Sequence, residues 1–104
     1  MFATVRRYEG IDSSNIDELT KKVGESLAPK LSKLPGFSSY FLIDTGNGVL
    51  SSIGVFETST QANDSTRVAS EWVRDEKLER ILQTPPKVTE GEVLVHQLNG
   101  AVKA

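Results

Sequence analysis

Residues 36–57, GFSSYFLIDTGNGVLSSIGVFE, constrain this chain more than any other stretch. Two runs with β-branched and aromatic bias flank DTGNG, where Gly46, Asn47 and Gly48 can take the positive φ angles that a tight hairpin turn requires. An antiparallel hairpin at the centre of a short chain needs other elements to cover it. The flanking patterns supply them. Residues 1–9, MFATVRRYE, alternate as a first strand, and GIDSSN then brings Gly10 and several oxygen-bearing caps. Ile16, Leu19, Val23, Leu27, Leu31 and Leu34 follow at steps of three or four, the stripe of a helix with one buried face. Pro29 lacks an amide donor and clashes one turn back, which predicts a kink or restart near Ala28, and Pro35-Gly36 stop the segment.

Beyond the hairpin, Thr58 and Gln61 have the spacing of a capping box and open a polar helix carrying Ala62, Ala69, Trp72 and Val73. EKLERILQ predicts a second helical piece with Leu78, Ile81 and Leu82 on one side, ended by Pro85-Pro86. The run EVLVHQL, residues 92–98, reads as the last strand. The order is strand, helix, strand, strand, helix, strand. With right-handed crossovers this gives an α+β, ferredoxin-like βαββαβ fold: a four-stranded antiparallel sheet with both helices on one face, in a single domain spanning 1–104.

Composition narrows the function. A net charge of −2 with 25% charged residues offers no basic footprint for nucleic acid, and no apolar run approaches the length of a membrane span, so a cytoplasmic protein without nucleic-acid or membrane partners is expected. The absence of cysteine excludes disulfides, thiol nucleophiles and thiolate metal sites, and one histidine among scattered carboxylates predicts no metal centre. P-loop, dinucleotide-glycine and nucleophile-elbow motifs are absent. The run RDEKLER has the i,i+4 pairs of a solvated helix face.

Both sheet faces are substantially apolar in the pattern. Strand three alternates Ile53 and Val55 against Leu50, Ser52, Gly54 and Phe56, and a two-residue turn would set Phe37 opposite Phe56 and Phe41 opposite Ser52. A second subunit covering the outer face explains this, and a homodimer packed sheet to sheet is expected.

Element order, LPGFSSYFLID, SIGVFETSTQA and the closing GEVLVHQL together resemble the dimeric α+β barrel superfamily, near the antibiotic biosynthesis monooxygenase domains. The resemblance spans nearly the whole chain. It implies a pocket between sheet and helices, and a monooxygenase-like protein that binds a small, apolar or aromatic molecule. If the protein is an enzyme, the resemblance implies cofactor-independent oxygenation of an aromatic or polyketide-like substrate. Haem-degrading relatives typically use an Asn on the first strand with a Trp and a His from the helix region. Thr4 and Arg6 on strand one depart from that pattern. Oxygenase relatives use a tryptophan, an asparagine and an arginine about the pocket, for which Trp72, Asn63 and Arg6 are the matching residue types.

If Ala3 and Val5 face the helices, then Thr4, Arg6 and Tyr8 share the opposite face with His96. An imidazole beside a phenol and a guanidinium suits proton abstraction from a phenol, or stabilisation of an enolate, making His96, Arg6 and Tyr8 the candidate catalytic set. The alternative is a partly buried His96 with Arg6 and Tyr8 paired across a dimer. Trp72, Ser52 and Phe56 are the candidate ligand-binding residues: the indole can stack on a planar ring, and small groups in bulky strands leave room for one. Against this stands the reading that Trp72 fills the helix–sheet core. A non-catalytic ligand-binding or stress-associated dimer remains the alternative function.

Overall fold

The computed structural model describes residues 1–98. It contains β1 (Phe2–Tyr8), a 3-10 turn (Ser13–Asn15), α1 (Ile16–Lys22), α2 (Ala28–Ser32), β2 (Phe37–Gly46), β3 (Val49–Phe56), α3 (Ser59–Asp75), a 3-10 turn (Leu78–Arg80) and β4 (Lys87–Glu92). The four strands form one antiparallel sheet in the order β2-β3-β1-β4, with the helices against one face, the ferredoxin-like arrangement expected from the pattern.

The hairpin turn takes the form its residues allow. Gly46, Asn47 and Gly48 have φ of 90°, 58° and 76°. At Gly48 a Cβ would stand 2.6 Å from the carbonyl oxygen of Ile11, whose own amide donates to the Gly48 carbonyl at 3.0 Å. Only glycine meets both demands, the positive φ and the close backbone approach. Phe37 pairs with Phe56 as expected, but irregularities at Phe37/Ser39 and Asp44/Gly46 move Phe41 opposite Ile53 rather than Ser52. Each extra residue in one strand shifts the pairing while the side-chain alternation continues. Phe37 therefore meets Phe56 edge to face at 5.7 Å on the helix side, while Phe41 stands 54% exposed on the open side.

Between α1 and α2, residues Val23–Leu27 widen into a π turn in which the amide of Ala28 donates to the carbonyl of Val23. Pro29 lies in the first turn of the restarted helix α2, where its missing donor does least harm. The stripe survives the change of pitch. Leu19, Val23, Leu27 and Leu31 are buried, and Ile16 and Leu34 pack beside them. The helix α3 starts at the expected box: Thr58 Oγ1 accepts from the Gln61 amide at 3.2 Å, and Gln61 Oε1 accepts from the Thr58 amide at 3.1 Å. Its buried face carries Ala62, Ala69 and Trp72. The predicted helical piece after it shortens to a single 3-10 turn entered through Lys77 at φ 57°, which still buries Leu78 and Ile81.

Two expectations fail. The last strand is Lys87–Glu92, not 92–98: it pairs with β1 from Arg7↔Lys87 to Phe2↔Glu92, and the Val93 amide makes one further bond to the Met1 carbonyl. Register with β1 selects the polar KVTEGE. The apolar run continues past the paired region, with Leu94 85% and Val95 83% exposed. The faces of β1 are also reversed. Thr4 and Arg6 are buried toward the helices and Tyr8 packs against the core, whereas Ala3 and Val5 lie on the open side. Ser52 and Gly54 stand opposite Arg6 and Thr4 on β3, and their small size makes room for the larger side chains.

Candidate functional site

A cleft of about 510 Å³ opens between β1, the start of β4, α3 and the segment 82–86. Arg6 and Tyr8 form part of its wall, with Thr66 and Arg74 from α3, Glu79 from the 3-10 turn and Gln83 beyond it. Thr66 Oγ1 lies 3.2 Å from Thr4 Oγ1, and the Asn63 side-chain amide, oriented to satisfy both groups, donates to the Glu90 carboxylate oxygens at 2.8 and 2.6 Å. These contacts fix α3 against β1 and β4. Pro85-Pro86 begin the turn into β4 and supply a rigid apolar rim.

Arg6 is the unusual group. It is 2% exposed, its Nε and Nη1 are buried without a hydrogen-bond partner, and none of the ion pairs among the described residues involves it. A guanidinium buried without an opposing carboxylate is costly, because at Nε and Nη1 burial removes water that no protein acceptor replaces. Arg6 and Tyr8 also line a second, inner cavity of about 20 Å³, whose wall includes Tyr40, Ser52, Trp72 and aliphatic side chains of the core. Burial pushes the Tyr40 phenol up from its ordinary 10.0, while the Arg6 charge and the Ser52 hydroxyl pull it down by less. Tyr40 therefore stays protonated at neutral pH and can donate.

The candidate residues divide accordingly. Arg6 and Tyr8 share the cleft. Ser52 and Trp72 lie behind them on the inner cavity, and Trp72, 3% exposed, donates from Nε1 to Ser26 Oγ at 2.9 Å. The π turn that carries Ser26 thus anchors the indole, leaving Trp72 a core residue rather than a stacking platform in the cleft. Phe56 is fully buried against Phe37 and lines none of these cavities. His96 is exposed on the irregular segment after β4; Val88 occupies the place beside Arg6 that the expected pairing would have assigned to it. Had residues 92–98 been the paired strand, the expected neighbourhood would follow; the shift in register removes it.

Sequence reasoning missed Tyr40 and Glu79. Tyr40 sits in a strand of mixed character with no motif around it. Glu79 belongs to the charged run read as a solvated face, and it is exposed as that reading expects, but its place on the 3-10 turn also puts it on the wall of the open cleft. It is the one carboxylate on the cleft wall among the described residues. No group of three His, Cys, Asp or Glu suited to a metal ion occurs among the described residues, and no helix among them is long and apolar enough to cross a membrane.

Sheet order, helix placement and a cleft between sheet and helices define the class: the fold is ferredoxin-like, and it is similar to that of solved antibiotic biosynthesis monooxygenase-like proteins. Three solved structures give the extent of the likeness. A protein of unknown function from Nitrosomonas europaea superposes with a TM-score of 0.74 at 17% identity, over 94% of this chain and 93% of that one. A monooxygenase from Streptomyces coelicolor, in complex with nanaomycin D, gives 0.71 at 19% identity, covering 94% of this chain and 91% of its own. The haem degrader MhuD of Mycobacterium tuberculosis, with two haems in its active site, gives 0.71 at 16% identity over 93% and 99%. No family model and no curated protein matches the sequence. The likeness is one of fold.

Proposed function

We propose that this protein binds a small planar molecule bearing an ionisable oxygen, an aromatic or polyketide-like phenol or enol, and oxygenates it without a cofactor. The observation that carries the reading is the buried, uncompensated Arg6 guanidinium in the wall of a ligand-sized cleft. Such a charge stabilises an anionic oxygen at the expense of its protonated form, which lowers the pKa of a bound phenol or enol. Tyr8 orients that oxygen, and Glu79 accepts the proton in the role first expected of His96. The carbanion form of that anion attacks dioxygen to form a C–O bond, and the peroxide takes up the proton held by Glu79. Loss of water, which carries off the second oxygen with the remaining hydrogen of that carbon, leaves a new carbonyl, the substrate supplying all four electrons. The similar monooxygenase bound to nanaomycin D supports an aromatic polyketide as the ligand class. Among the described residues no histidine lines the cleft, while Arg6 does, which favours an organic anion over haem.

The working unit is a homodimer packed through the open sheet face. Phe41 and Ile43 are 54% and 41% exposed there, beside Ala3, Val5 and Ile53, an apolar surface that a second copy would cover. The alternative of a purely structural dimer is disfavoured because it assigns no task to an open cleft with Arg6 in its wall.

Titration of purified protein with quinols, polycyclic phenols and haem, followed by Trp72 fluorescence and oxygen uptake, tests the reading. Saturable binding of phenols, lost in Arg6→Met, with oxygen consumption lost in Glu79→Gln, is expected. Equal affinity for a phenol and its O-methyl ether would refute the role of Arg6.

A further inference from the structure

The inner cavity has a chemistry of its own. Its volume of about 20 Å³ is room for a single water-sized guest, since about 10–15 Å³ on this measure admits one. Leu19, Leu27 and Leu50 make part of its wall apolar. Into this space converge Arg6 and Ser52, both 2% exposed and directly opposite one another on β1 and β3. Arg6 Nε and Nη1 and Ser52 Oγ are all buried without a partner. Tyr40, on the same wall, keeps its proton and adds a third kind of donor.

A neutral guest would accept these hydrogen bonds but leave a full positive charge buried. A monatomic anion answers both demands, and room for about one water-sized guest favours it over a polyatomic oxyanion. We infer that the inner cavity is a binding site for one halide-sized anion, with chloride the abundant choice, held by Arg6, Ser52 and Tyr40. The site shares Arg6 with the cleft but does not depend on the cleft receiving a ligand. Neutralising Arg6 from behind would weaken its hold on an anionic ligand in front, so chloride and that ligand oppose each other.

Trp72 makes the test direct. It is the only tryptophan, lines the cavity and is 3% exposed, so bromide in bulk solvent reaches it poorly while bromide in the cavity touches it. Bromide is titrated against gluconate at constant ionic strength, with no other ligand present. The expected result is saturable quenching, reversed by chloride, about tenfold weaker in Ser52→Ala and absent in Arg6→Met. The thermal midpoint of the wild type should rise with halide in parallel. Quenching that stays linear and equal in wild type and variants, with no halide-dependent midpoint, would overturn the inference and leave the cavity to water. If Arg6→Met does not fold, Ser52→Ala decides alone. Because no phenol is used, failure here is distinct from failure of the cleft reading.

Discussion

Replacing Arg6 by Met should make the protein more stable and less able to bind. Two buried guanidinium donors lack partners, and each unmet donor costs about 1–3 kcal/mol, giving about 2–6 kcal/mol. Burial of the unpaired charge adds in the same direction. Met is unbranched and close to Arg in volume, so repacking should cost less than about 1.5 kcal/mol. A net gain of about 2 kcal/mol is the central expectation, which for a domain of this size raises the thermal midpoint by about 8–16 °C. The measurement is thermal unfolding by circular dichroism in halide-free buffer, at one protein concentration so that association does not distort the comparison. Phenol affinity is measured on the same samples. A loss of 2 kcal/mol or more in the variant would refute the reasoning, since it would mean that Arg6 is a well-satisfied structural group. Gained stability with unchanged phenol affinity would keep the energetic argument and remove the functional one.

Three further outcomes are expected. Thr58→Ala removes the side-chain half of the capping box on α3 and should cost about 1 kcal/mol in denaturant unfolding, with Thr58→Ser near wild type. Because the Tyr40 phenol is raised above its ordinary 10.0 in the folded state, the native protein holds that proton more tightly than the unfolded chain; the contribution is complete below pH 10 and is lost as pH climbs from there through the folded value. Tyr40→Phe should therefore flatten the alkaline limb of the stability profile, and an unchanged limb would show that other groups govern it. Phe41→Asp places a charge on the exposed apolar sheet face and should shift sedimentation from dimer to monomer with the circular dichroism spectrum intact, whereas a wild type already monomeric at micromolar concentration would exclude the dimer.

Local chemistry accounts for much of the architecture. Three residues able to adopt positive φ dictate the turn, Thr58 and Gln61 dictate where α3 begins, and Pro29 dictates a break that the helix meets with a π turn. These effects act within a few residues, so they are legible in one chain read alone. The apolar stripe from Ile16 to Leu34 is legible for the same reason, because helical period and burial coincide there.

What the tertiary structure alone decided is which face of β1 turns inward and which residues form β4. Alternation says that Ala3 and Val5 are opposite to Thr4 and Arg6, but it does not say which set is buried when neither face is plainly polar. That choice falls to register with β3, where Ser52 and Gly54 leave space for Arg6 and Thr4. In the same way the polar KVTEGE becomes the strand and EVLVHQL does not, because pairing with β1 depends on backbone hydrogen bonds that every residue except proline can make. Strand identity and face are non-local properties, and the placement of the candidate residues depends on both: Arg6 and Tyr8 line the cleft, His96 lies on the segment after β4, and Tyr40 and Glu79 reach the cavity walls only once the sheet and helices are in place.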